Sequence, residues 1–454
     1  MATDDIFDDL KRSALTIRPP RRPLIGRAVP PGSKSITNRA LLVAALARGT
    51  SRLTGALKSD DTRHMATALR AMGVAVDEPD ATTFVVTATG RLAAPAAPLF
   101  LGNAGTATRF LTAAVALVDG TVIVDGDAHM RKRPIGPLVT ALRSLGVDAA
   151  APTGCPPVTI VGTGGFGAGR GTEHGGREPG APDDGAPAEG AGGPLRVEID
   201  AALSSQYVSA LLMAAAGAAV PVDVALVGAE GGEIGAKGYV DLTVATMTAF
   251  GARVERRDAA TWRVLPTGYV ATDYTIEPDA SAATYLWAAE VLTGGAIDLG
   301  VPSDAFTQPD AAALGVIRRF PELPSVIDGS QMQDAVPTLA VLAAFNRTPV
   351  RFVGIANLRV KECDRIRALS TGLNAIRLGL ATEEGDDLVV HADPGLAGQR
   401  LPARIDTFAD HRIAMSFALA GLMIDGVTIL DPGCVAKTFP GYWAVLRGLG
   451  VEMG

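Results

Sequence analysis

The sequence predicts an α/β protein built from six copies of one unit near 70 residues long. Three observations carry that expectation. First, helical stretches end at a glycine or a break and run on into an extended segment: TALRAMGVAV at Gly73, TALRSLGVDA at Gly146, TMTAFGARVE at Gly251, GVIRRFPELPSVI near Phe320, NAIRLGLATE at Gly379 and VLRGLGVEM at Gly450. Second, these stops lie 73, 105, 69, 59 and 71 residues apart, and the 105 falls to 71 once the 34-residue segment 162–195 is set aside. Third, Ile135, Leu138, Leu142 and Leu145, like Ile366, Leu369, Leu373 and Ile376, keep helical spacing. A glycine just past the last apolar residue supplies the left-handed cap that closes each helix.

Composition bounds the rest. A chain of 454 residues is long enough for two or three domains. With 48% hydrophobic and 20% charged residues it is an ordinary globular sequence. Fifty-two glycines and 30 prolines against 13 Phe, 6 Tyr and 3 Trp imply a turn-rich chain with an aliphatic core. A net charge of −7 argues against nucleic acid or an anionic membrane as the main partner. Three scattered cysteines (Cys155, Cys363 and Cys434) do not make a disulfide framework or a thiolate metal site. The acidic start MATDDIFDDLKRSA is unlike a secretory signal, and the apolar run from Ala210 to Ala229 is broken by Pro221 and Asp223. A cytoplasmic protein is expected.

The first chemistry-bearing stretch is PGSKSITNRALLVAALA, where Pro30, Pro31 and Gly32 force a turn. It leaves Lys34, Ser35 and Arg39 at a helix N-terminus, where backbone N–H groups already favour an anion. No Walker loop is present. Asp60, Asp61 and His64 share a helix face, but Lys58 and Arg63 beside them suggest a surface ion-pair network. In LGNAGTATRFL, Gly102 and Gly105 flank Asn103 and allow a ligand to approach the backbone closely. MRKRPIGPLVTAL sets Arg131, Lys132 and Arg133 before Pro134, expected at the first helical position.

Segment 162–195 has almost nothing to bury and is expected to be a flexible surface insertion. Its Gly162, Gly164 and Gly167 match a dinucleotide fingerprint, but the residues after Gly167 lack helix-forming sequence, so no nucleotide is expected. Beyond it, Ser204, Ser205 and Gln206 exceed what one helix cap requires. Asp279 and Asp334 precede apolar helices. Lys361, Glu362, Asp364, Arg365 and Arg367 open another, and Asp410, His411 and Arg412 a further one, with Lys437 following in GCVAKTFPGYW. Singly, each cluster reads as a capped helix with solvated charge. Together, cations at five helix starts of an acidic protein imply an electropositive cleft for ligands carrying several negative charges. The histidines show no metal-ligand spacing and no GxSxG elbow occurs.

PGSKSITNRA, LGNAGTATR, RKRPIGPL, SSQY, DASAATY, RVKECDRI, DHRIAMSFA and AKTFP, in that order, closely resemble the 5-enolpyruvylshikimate-3-phosphate synthases, enolpyruvyl transferases of the shikimate pathway. The resemblance runs from about Pro31 to Tyr442. It implies two domains, each of three βαβαββ units, with the active site in the cleft between them. Residues 1–32 would join 278–454, and 33–277 would form the other domain. It also implies transfer of the enolpyruvyl group of phosphoenolpyruvate to the 5-hydroxyl of shikimate 3-phosphate, without metal or organic cofactor, by a monomer. By motif position, Lys34, Ser35, Arg39, Ser204, Ser205, Gln206, Tyr239, Asp334, Asn357 and Lys361 correspond to the shikimate 3-phosphate site. Lys34, Asn103, Gly105, Arg133, Gln206, Arg365, Arg412 and Lys437 correspond to the phosphoenolpyruvate site. Asp334, Glu362 and Lys34 correspond to the catalytic set.

Three positions depart from the family pattern: Ala236 where a phosphate-binding serine is common, Cys363 for Ser or Thr, and Phe110 for proline. Because Gly105 is retained, sensitivity to glyphosate is expected. The sister UDP-N-acetylglucosamine enolpyruvyl transferases differ: their lysine is followed by Asn, here Ser35, and their loop cysteine is not matched by Cys155, set between Gly154 and Pro156. A non-catalytic relative would have lost Asp334, Glu362 or Lys34. Cations divided between the two halves imply mutual repulsion that an anionic substrate relieves by closing them.

Overall fold

The computed structural model describes residues 9–167, 193–200, 204–227 and 237–454. Most of the 162–195 segment and Ala236, both singled out above, lie outside these residues. Gly162 itself ends up buried near the end of a strand, Val158–Thr163.

The expected unit recurs. In one copy, Leu99–Phe100 leads into the helix Gly105–Ala114 and a parallel strand Asp119–Asp125. The helix Gly136–Ser144 follows, and then Asp148–Ala150 and Val158–Thr163, which complete the sheet antiparallel. The same order holds for Leu195–Asp200 through Thr261–Val264, where Leu195↔Val222 runs parallel and Val222↔Val264 antiparallel. It holds again for Val326–Asp328 through Asp387–Val390. The least complete copy among the described residues pairs only Ile25–Arg27 with Ala296–Asp298.

The expected stops are chemically real. Gly73, Gly146, Gly251, Gly379 and Gly450 have φ between +83° and +97°, the left-handed region that a side chain disfavours. Of the apolar stripes, Leu138, Leu142, Ile366, Leu369 and Leu373 are fully buried, so helical spacing translated directly into a packed face. One boundary differs: the helix after Arg133 begins at Gly136, with Pro137 rather than Pro134 in its first turn.

Buried apolar side chains fall into two clusters. One draws on Ile36 to Ile276; the other on Leu15 to Ala28 and Ala282 to Val451. Each lobe is centred on three alanine-rich helices packed on one another: Lys34–Leu46, Gly105–Ala114 and Ser205–Ala215 in the first, Ala280–Thr293, Val336–Ala343 and His411–Met423 in the second. Small side chains let these helices be buried nearly all round. The chain changes from one cluster to the other between Ala28 and Ile36 and again between Ile276 and Ala282, and Gly32 bridges Pro278 there. A Cβ on Gly32 would stand 1.9 Å from the Gly55 carbonyl oxygen, so this crossing tolerates no side chain. Among the described residues no helix is long and apolar enough to cross a membrane.

Candidate active site

Helix starts from both lobes converge on one cleft. Its lining comes from the Lys34–Leu46 helix (Lys34, Ser35, Arg39), Thr106, the Ser204–Gln206 turn, and Tyr239 on one side, and from Gln333, Asp334 and Lys361 on the other. Ser33 caps the first helix by accepting from the Ile36 N–H, and Ser204 caps its own by accepting from the Gln206 N–H at 3.2 Å. Capping therefore uses one serine of the pair and leaves Ser205 and the Gln206 amide for other contacts. Gln206 Oε1 accepts from Arg109 at 2.7 Å and its Nε2 donates to Thr106 at 3.2 Å.

Arg39 is buried to 1% exposure. Its Nε donates to Thr243 (2.7 Å) and its terminal nitrogens to the Ser35 carbonyl (2.8 Å), Ser209 and the Tyr239 carbonyl (3.2 Å each). Phe110, at the position where proline is common, lies under this guanidinium at 5.1 Å, a cation–π contact that proline's saturated ring has no π face to make. Burial brings the Arg39 pKa down to about 10, still fully charged at neutral pH. Lys361 donates to Gln333 Oε1 at 3.4 Å; burial, partly offset by Asp334, pushes its ammonium down to about 8. Asn357 lies in the short helix Ala356–Val360 just before it, with its Oδ1 buried and unpartnered.

Beside this lining sits a dense ion cluster spanning both lobes. Glu362 receives Arg365 at 2.7 Å, Lys437 at 2.8 Å and Arg133 at 3.5 Å. Burial alone would raise its carboxyl, but Lys437, Arg133 and Arg365 outweigh that and hold it well below the usual carboxylate range. Asp334 receives Arg412 at 2.8 Å and Arg365 at 3.0 Å. Burial again opposes, and Arg412, Lys361, Arg365 and Lys34 keep it ionised. Lys437 also donates to the Asn103 carbonyl at 2.8 Å, while Arg133 reaches Asn103 Oδ1 at 3.3 Å. Gly105 faces Arg133 so closely that a Cβ would stand 2.7 Å from Nη1. Of the three cations read from MRKRP, only Arg133 turns inward; Arg131 is exposed and pairs with Asp125.

Two readings are corrected. Asp61 is not part of a surface network: it is buried at 2% exposure, 3.5 Å from the Lys34 ammonium, while Asp60 and Arg63 pair outside. The cations of the two halves do not face each other bare either, because Glu362, Asp334 and Asp410 are interleaved among them. Beside them, burial and Asp410 raise the Cys363 thiol.

Several residues belong to the site beyond those assigned to it from the sequence. Asp410 is fully buried, binds Arg365 Nε at 2.7 Å and caps the His411–Met423 helix by accepting from the Arg412 N–H. Arg109 lies one helical turn beyond Gly105, beneath Gln206; burial and Arg133 bring it down to about 10. His411 is fully buried, and burial with Arg412 and Lys34 nearby keeps it neutral. Asp410 and His411 were visible as a charged helix start, and Arg109 by its four-residue offset from Gly105. Gln333 and Thr106 carried no sequence signal.

The family model for EPSP synthase (3-phosphoshikimate 1-carboxyvinyltransferase) matches residues 19–175 and 184–446. The 3-phosphoshikimate 1-carboxyvinyltransferase of Rhizobium etli (strain CIAT 652) is 72% identical over 441 residues, covering 97% of this chain and 98% of that protein. That of Pseudomonas savastanoi pv. phaseolicola is 65% identical over 442 residues, 97% and 99% of the two chains. The fold is shared with EPSP synthase of Acinetobacter baumannii, with a TM-score of 0.73 at 24% identity over 98% of this chain and all of that one. The enolpyruvyl transferase NikO of Streptomyces tendae aligns with a TM-score of 0.69 at 18% identity over 97% and 98%. With the ordered motifs, the two-lobed fold and the cationic cleft all in agreement, the chain belongs to the EPSP synthase family.

Proposed function

We propose that this cleft joins phosphoenolpyruvate to the 5-hydroxyl of shikimate 3-phosphate and releases phosphate. The observation that carries the reading is that Arg133, Arg365, Arg412 and Lys437 pair with two ionised carboxylates, Asp334 and Glu362, beside an interlobe cleft that Lys34, Arg39, Lys361 and Asp334 line. Two polyanions must be held side by side, and fixed cations in a water-poor site cancel their repulsion without reorganising. In this reading Lys34, Ser35, Arg39, Ser204, Ser205, Gln206, Tyr239, Asn357 and Lys361 hold the shikimate 3-phosphate, with Asp334 at its 5-hydroxyl. Lys34, Asn103, Gly105, Arg133, Gln206, Arg365, Arg412 and Lys437 hold phosphoenolpyruvate. Residues 1–32 with 278–454, and 33–277, are the two domains of the proposal.

The ion cluster suggests how acid and base are switched on. A substrate anion that takes Arg133 and Lys437 away from Glu362 removes the charges that keep its carboxyl ionised, so its affinity for a proton rises. It can then protonate the methylene carbon. An anion engaging Arg365 or Arg412 likewise makes Asp334 a stronger base for the 5-hydroxyl proton. The hydroxyl oxygen bonds to the central carbon of phosphoenolpyruvate; the tetrahedral adduct then loses phosphate as a methyl proton returns to the Glu362 carboxylate, which restores the carbon–carbon double bond as an enol ether. Phosphate release with both substrates, run beside Asp334→Ala, tests the reading. The variant is expected to lose on the order of 10²–10³ in rate; an inactive wild-type enzyme refutes the reading.

A further inference from the structure

Asp310 has no part in the roles assigned above, yet it touches both lobes. It lies in the short helix Pro309–Ala312 and is fully buried. One carboxylate oxygen accepts from the Ala335 N–H at 3.1 Å, next in sequence to Asp334 and directly ahead of the Val336–Ala343 helix. The other accepts from the Tyr239 hydroxyl, which the opposite lobe presents from the first turn of Gly238–Ala249.

Its two neighbours extend the link. Pro309 packs on Gly238, where an added Cβ would come within 2.8 Å of the proline ring. Gln308 Oε1 accepts from Ser33 at 2.8 Å and from the Ala280 N–H at 3.3 Å, while its Nε2 donates to Glu277 and to the Pro278 carbonyl at 2.7 Å. Three consecutive residues therefore touch both chain crossings, the facing lobe and the backbone beside Asp334. A carboxylate is a costly choice here, because it is buried beside another carboxylate and an amide could satisfy Ala335 equally well.

We infer that Asp310 is a positioning residue: it fixes the Tyr239 hydroxyl and the Asp334 backbone relative to each other, so that shikimate 3-phosphate meets both in register when the lobes are together. This rests on the reading of the cleft given above. Four groups face the carboxylate: Asp334, Arg412, Tyr239 and Asp279. Burial and then Asp334 raise it to about 6; Arg412 and the Tyr239 hydroxyl act against that rise, and Asp279 adds to it.

The test is phosphate release across pH for wild type, Asp310→Asn, Tyr239→Phe and the double variant, with each substrate varied and folding checked by thermal melting. Asp310→Asn should lower kcat/KM for shikimate 3-phosphate about tenfold, leave the KM for phosphoenolpyruvate within about twofold, and lose an acid limb near pH 6. In Tyr239→Phe the carboxylate lacks its donor, so that limb should move to higher pH. The substrate's own ionisation is common to all four proteins. The double variant should be no worse than the worse single one. Multiplicative losses in the double, or an Asp310→Asn enzyme within about twofold of wild type, overturn the inference. Should Asp310→Asn not fold, an acid limb that stays in place in Tyr239→Phe overturns it. Absence of turnover in the wild type would instead overturn the functional reading itself.

Discussion

Lys361 is a cation of the cleft whose charge state is open to pH. Burial brings its ammonium down to about 8, and Asp334 only partly restores it. As pH rises through that value the cleft loses a cation, so kcat/KM for shikimate 3-phosphate should fall on the alkaline side of about 8. Lys361→Arg, which stays charged, should abolish that limb; a pH–rate profile checks both. Gly105 gives a steric prediction at the same scale. A methyl there must displace Arg133, since its Cβ would lie 2.7 Å from Nη1. Gly105→Ala should raise the KM for phosphoenolpyruvate and weaken competition by glyphosate, measured as a shift in the inhibition constant. An unchanged constant would show that Arg133 yields without cost.

Among the elements, the start of the His411–Met423 helix does two jobs with one side chain. Asp410 accepts from the Arg412 N–H at 2.8 Å and pairs with Arg365, which is itself 1% exposed. Removing it leaves a buried guanidinium with less compensation and a helix without its cap. Asp410→Ala should therefore destabilise the fold by about 3–5 kcal/mol, measured by urea unfolding, and Asp410→Asn by less because it retains a cap. Such starts were legible in sequence because Ser, Asp and glycine turns mark them. Local patterning did not show which charges of a start turn inward, and only the family resemblance picked out Arg133: in MRKRP it alone does, since the short helix Met130–Lys132 directs Arg131 out to Asp125.

For the whole molecule, the lobes meet through Arg133 and Glu362, Lys437 and Asn103, and Tyr239 and Asp310. In the functional reading shikimate 3-phosphate also bridges the lobes, touching Arg39 and Tyr239 on one side of the cleft and Asp334 and Lys361 on the other. Shikimate 3-phosphate should therefore shift the balance between separated and joined lobes, seen as a smaller radius of gyration by small-angle scattering. An unchanged radius at saturating substrate would show that the lobes stay joined without it.

The sequence by itself determined the repeat, the glycine stops and the helix starts that carry charge. Each is a local property: left-handed backbone, apolar spacing and capping chemistry act within a few residues. Tertiary structure alone decided how those starts share ions. Asp61 meets Lys34 from a separate helix, Glu362 collects cations from both lobes, and Asp310 joins Tyr239 to the backbone beside Asp334. These partners are far apart along the chain, and a charge shows its partner only once the fold has removed the water between them.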